Sequence, residues 1–153
     1  MADLRASLGR PVISQSTGHE LGTLRDLSID PESKRIRFVR IDGSGVGELL
    51  DWSDVAAFGA DAVMVENDED VHEARDDEQQ RILDGTTSVL DKLVLSDRGN
   101  ACGQIQDLQF DPDTGELTDL RTNDGVIVAA RLVGVGAYAV IIKAIEDEAL
   151  SGL

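Results

Sequence analysis

Two stretches decide the fold: GHELGTLRDLSIDP at residues 18–31 and GNACGQIQDLQFDP at residues 99–112. Laid over one another at an offset of 81, Gly18 meets Gly99, Gly22 meets Gly103, Asp26-Leu27 meets Asp107-Leu108 and Asp30-Pro31 meets Asp111-Pro112. The match runs on with Leu24 on Ile105, Ile29 on Phe110, Ile36 on Leu117, Val39 on Leu120 and Arg40 on Arg121. Past a four-residue deletion opposite Gly43 to Gly47 the offset becomes 77, where Val55 meets Leu132, Gly59-Ala60 meets Gly136-Ala137 and Ala62-Val63 meets Ala139-Val140. Self-similarity at a fixed offset marks a duplicated structural unit.

Within each copy the order is apolar run, glycine turn, apolar run, Asp-Pro turn, apolar run, glycine-containing loop and two short apolar runs, which is the punctuation of a β-meander. Proline sets φ in the Asp-Pro turns, and Asp or Gly supplies turn hydrogen bonds or positive φ. Alternation fails at the same place in both copies: Leu24 and Leu27, like Ile105 and Leu108, stand three apart. Ile36 and Val39, matched by Leu117 and Leu120, repeat that step. A shared change of parity predicts β-bulges, which curl a short sheet toward a barrel. Helices would give the same spacing, but Gly22 and Gly103 inside the runs, the β-branched content and the short segments argue for strands.

Between the copies, residues 66–88 carry nine acidic side chains against Arg75 and Arg81. The expected organisation is therefore a first unit over 1–66, an acidic and partly helical linker over 67–87, and a second unit over 88–153 ending in a short C-terminal tail. A helix from Glu73 to Leu83 would have a thin apolar stripe of Ala74, Ile82 and Leu83. Units of about 65 residues bury only about 60% of their unfolded surface. The two units, or two chains, are expected to pack together.

Composition narrows the chemistry. Of 153 residues 41% are apolar but only 3% aromatic, so the core is aliphatic. The net charge of −16 opposes nucleic acid and anionic membrane surfaces, whose binding draws on Lys and Arg. A lone cysteine, Cys102, excludes an internal disulfide, and Cys-x-x-Cys is absent. No apolar run approaches membrane-spanning length and the N-terminus lacks a signal pattern, so the expectation is a cytoplasmic protein without membrane insertion.

The pattern apolar-x(6–8)-Gly-x-x-x-Gly-x-apolar-x-Asp-apolar, followed by Asp-Pro and a further strand, reads RPVISQSTGHELGTLRDLSIDPESKRIRFVRI in the first copy and KLVLSDRGNACGQIQDLQFDPDTGELTDLRT in the second. It resembles the PRC-barrel domain, twice in tandem. The resemblance implies an all-β fold of two small, mostly six-stranded barrels. It also implies docking modules without a cofactor of their own, as in the cytoplasmic part of the photosynthetic reaction centre H subunit and the C-terminal domain of a ribosome maturation factor. The chain lacks the transmembrane helix of the former and the N-terminal domain of the latter, so neither specific role carries over. The family offers no catalytic motif to transfer.

Individual residues add little chemistry. The loop Gly43-Ser44-Gly45-Val46-Gly47 departs from a dinucleotide fingerprint and precedes a strand, which favours a flexible hairpin. Asp111, Asp113 and Glu116 do not meet calcium-loop spacing and read as a turn. His19 and His72 have no nucleophile tied to them. No catalytic residue, metal site or cofactor is expected. Aromatics present in only one copy are the candidate partner-binding residues: Phe38 (opposite Asp119, and expected at the surface), Trp52 (opposite Ala129, with packing in its own barrel as the competing reading) and Tyr138 (opposite Asp61). The expectation is a non-catalytic adaptor binding a protein partner, with homodimerisation open. The alternative is a small-ligand or metal-binding regulator using the groove between the barrels.

Overall fold

The computed structural model describes residues 1–43, 45 and 47–145. The expected C-terminal tail therefore falls, from residue 146, outside the described residues. The architecture is all-β, two small barrel-type units in tandem. In the first, β2 (Pro11–Ser14), β3 (Glu20–Asp30), β4 (Arg35–Asp42), β5 (Leu49–Asp51), β6 (Val55–Phe58) and β7 (Val63–Val65) lie in the order β6-β7-β2-β3-β4-β5. In the second, β9 (Leu93–Ser96), β10 (Ala101–Phe110), β11 (Leu117–Thr122), β12 (Gly125–Val128), β13 (Leu132–Val135) and β14 (Ala139–Ile142) repeat it as β13-β14-β9-β10-β11-β12. Pairing is antiparallel except for β2 with β7 and β9 with β14.

The bulges stand where parity changes. Pairing of β3 with β4 slips between Leu24 and Asp26 and again between Ser28 and Ile29; pairing of β10 with β11 slips between Ile105 and Asp107 and again between Gln109 and Phe110. At the first bulge of each copy the Asp carboxylate accepts the next backbone N–H, Leu27 in one unit and Leu108 in the other, both at 2.8 Å. The repeated Asp-Leu pair is thus a bulge clasp. Beyond it, Leu24, Leu27, Val39, Ile105, Leu108 and Leu120 all point into one apolar cluster shared by both units.

Each six-stranded sheet gains a seventh strand, and here the boundaries differ from those expected. β1 (Ala2–Asp3) pairs with Phe110 and Gln109 of β10, and the helical turn α1 (Leu4–Ser7) follows it onto the second unit. The start of the chain, expected in the first unit, therefore belongs to the second sheet. Arg5 donates from its backbone to Asp107 at 3.0 Å and from its side chain to Asp91 at 2.6 Å and to the Gln106 carbonyl. In the other direction β8 (Val71–His72), expected within the linker, joins the outer edge of β5. The linker helix α2 (Asp77–Leu83) is shorter than expected because Asp76, in an extended conformation, caps it by accepting from Gln79 N–H at 2.8 Å.

The exchange is reciprocal. The segment entering the second unit crosses back over the first: Ser88 donates to Asp26 at 2.6 Å, and the Thr87 and Ser28 hydroxyls meet at 3.5 Å. Asp26 and Asp107, equivalent by the repeat, thus each hold the other unit's lead-in. The two Asp-Pro hairpins also pair with one another. Ile36 N–H donates to the Gly115 carbonyl at 2.8 Å and Leu117 N–H to the Lys34 carbonyl at 2.9 Å, which sets Arg35 directly opposite Glu116. All these partners are equivalents at the offset of 81, so a pseudo-twofold axis passes between Arg35 and Glu116.

Candidate docking surface

The three aromatic candidates do not share a surface. Phe38 is 5% exposed, which corrects the expectation that it faces solvent. It lies on the outer side of β4, but α2 covers that side: Phe38, Leu49 and Ile82 form a separate small core, and Arg37 at once stacks 5.2 Å from the Phe38 ring and pairs with Glu78 of the helix. Trp52 is half-buried at the junction of the units. Its ring lies 5.8 Å from Phe58 and 6.3 Å, edge-on, from Phe110 of the second unit. Tyr138 alone of the three is open to solvent, at 70%.

An asymmetry between the copies defines the more extensive surface. Offset 77 sets Leu49 on Val126 and Leu50 on Ile127. In the first unit the outer edge of β5 is paired by β8 and its outer side is covered by α2. In the second unit β12 ends the sheet, and among the described residues nothing pairs its outer edge. Val126 and Val128 are accordingly 63% and 55% exposed, and Val133 and Tyr138 add further apolar surface on the same unit. The glycine loop explains how the first unit is closed. A Cβ on Gly47 would collide with the backbone of His72, so only glycine lets β8 come alongside β5. The deletion in the second copy removes this loop, and no strand in the described residues takes the equivalent place.

His72, Asp51 and Asp54 gather at the closed edge. His72 faces an acceptor at each ring nitrogen, Asp51 at 2.9 Å and the Glu73 carbonyl at 2.7 Å. Asp54 nearby is held above the usual carboxylate value by partial burial and then by the charges of Asp70 and Asp51. Asp68 is held below it by hydrogen bonds from Ser14, Thr17 and His19. Burial lowers Lys92, whose ammonium donates to the Thr86 and Gly136 carbonyls, both at 2.8 Å. Glu116 is used in the pair with Arg35 and Asp111 in accepting from Asp113 N–H, as a turn requires. Cys102 is half-buried on β10 with its Sγ 3.4 Å from the Asn100 carbonyl. Among the described residues no three His, Cys, Asp or Glu side chains converge as metal ligands, and no helix is long and apolar enough to cross a membrane. A pocket between the units, bordered by Ser28, Arg37, Thr87 and Val135, encloses about 130 Å³. A larger one of about 490 Å³ lies beside α2 on the first unit, with Glu48, Glu73 and Gln80 on its wall.

The family model of the PRC-barrel domain matches residues 4–72, ending on the last residue of β8. An uncharacterized protein of Clostridium acetobutylicum is 32% identical over 73 residues, covering 42% of this chain and 84% of that protein. The chain belongs to the PRC-barrel domain family. The PRC-barrel match spans the first sheet up to the strand that closes its β5 edge, and the relative is about the size of one unit.

Proposed function

We propose that this protein is a non-catalytic docking module of the cytoplasm, binding a protein partner through the open side of its second PRC-barrel. One observation carries the reading: the second unit leaves bare, at Val126, the position whose counterpart Leu49 in the first unit is fully buried beneath the chain's own β8 and α2, and Val128 stands exposed beside it. Val126 and Val128, two apart on β12, lie side by side on one face of the strand, and contiguous exposed apolar surface marks a protein-binding face. The inter-unit groove supports the small-ligand alternative poorly, because sites for such ligands enclose about 300–1,000 Å³.

Immobilised full-length protein should capture a saturable partner from extract of its own cells, competed by free protein. A variant carrying Val126→Ser, Val128→Ser and Tyr138→Ala, all at exposed positions, should melt like the parent and lose that partner. Absence of any saturable partner, together with a metabolite or ion that raises the melting temperature selectively, would contradict the proposal in favour of a ligand-binding regulator.

A further inference from the structure

The first unit shows what its own fold places on this edge. β8 runs antiparallel to β5, His72 opposite Leu49 and Val71 opposite Leu50, and Val71 is buried where it completes the interior. Transferred by the offset of 77, the same arrangement puts an incoming residue opposite Ile127, on the interior side of β12, and its two neighbours on the outer side with Val126 and Val128. Alternation along a strand dictates an apolar residue at the first place. At the other two, Lys or Arg can lay its aliphatic stem over valine and keep its charge in water. Charge selects the occupant. A second copy brings another −16 to a chain already at −16, whereas a basic segment is attracted. Arg121, on the neighbouring strand, is already paired with Asp119 at 3.4 Å.

Resting on the docking reading above, we propose that β12 recruits an extended, net-basic segment of its protein partner as an additional antiparallel strand, with an apolar side chain opposite Ile127. Strand addition at a bare sheet edge uses main-chain hydrogen bonds for affinity and alternate side chains for selectivity.

The probe is a synthetic peptide, Lys-Val-Arg-Val-Lys-Val-Arg-Val, titrated into the full-length protein at physiological salt. Its control has the same side chains and charge, but alternate backbone nitrogens are methylated. The parent peptide should bind at least tenfold more tightly than the control and slow amide exchange within residues 125–128. The Val126→Ser, Val128→Ser variant should weaken it severalfold. Equal binding of both peptides would reduce the effect to charge and overturn the proposal. So would no binding, or perturbation confined to the first unit. Amides of 125–128 already as protected in the free protein as those of 49–51 would assign the edge to the chain itself, or to a second copy if protection rises with concentration. A partner captured by the parent protein and lost by the serine variant, but bound without any slowing of amide exchange within residues 125–128, would sink strand addition and leave the docking reading standing.

Discussion

Trp52 stands in the first unit, yet its indole lies over Gly115 of the second: a Cβ on Gly115 would come within 2.6 Å of the indole nitrogen. Gly115 also has φ +79°. Gly115→Ala should therefore cost the left-handed backbone penalty of about 1–2 kcal/mol and the displacement of the ring besides. Gly99→Ala, at φ +84° with nothing within 4 Å, should show the backbone penalty alone. Urea unfolding of the two variants separates the terms, and an equal loss in both would deny the indole contact. Trp52→Ala should cost about 2–4 kcal/mol, somewhat under the range for a fully buried ring. Two carboxylates give opposite pH signs. Asp68 titrates below its ordinary value in the fold, so its contribution is present above that value and is lost as pH falls through the folded one. Asp54 titrates above its ordinary value, so its charge opposes folding at neutral pH and the penalty fades as pH falls through the raised value. Thermal melts at pH 7 should show Asp68→Asn lowered and Asp54→Asn raised relative to the parent; on acidification the Asp54 difference should fade first, between its raised value and the ordinary carboxylate one, and the Asp68 difference only below the ordinary value.

The strands and their bulges were legible in the sequence because each rests on local chemistry repeated twice: glycine turns, Asp-Pro hairpins and the parity change at Asp26 and Asp107. The strands β1 and β8 were not, because two residues carry no periodicity and β1 finds its partner more than a hundred residues away. Phe38 misled for a related reason. β4 buries Phe38 and Val39 on opposite sides, and nothing in the strand itself says that a helix forty residues later covers the outer one. Of the candidate surface, Tyr138 was legible as an aromatic with no counterpart, whereas the bare edge of β12 shows only once β8 is seen on its twin. The crossing of the lead-in segment makes a definite prediction. Leu4 is fully buried, and Leu4→Ala should cost about 2–5 kcal/mol. Native-state hydrogen exchange should place the loosening in β10 rather than β3. Loosening confined to β3 would contradict the assignment of residues 2–7 to the second unit.

Across the whole molecule, the two copies are joined less by the acidic linker than by what they exchange. Each unit receives its lead-in contact from the other half of the chain, the hairpins pair about the Arg35–Glu116 axis, and one apolar cluster runs through both. The Arg35–Glu116 ion pair itself, exposed on both sides, adds at most about 1 kcal/mol; the backbone pairing and the shared core do the joining. Severing the chain between Asp84 and Gly85 tests this directly. Fragments 1–84 and 85–153, the first deprived of the Ser88 contact to Asp26 and of its share of the common core, the second deprived of β1, should fail to fold alone and should reassemble on mixing into a 1:1 complex with a single cooperative melt. Two fragments that each fold cooperatively and stay separate would contradict the account.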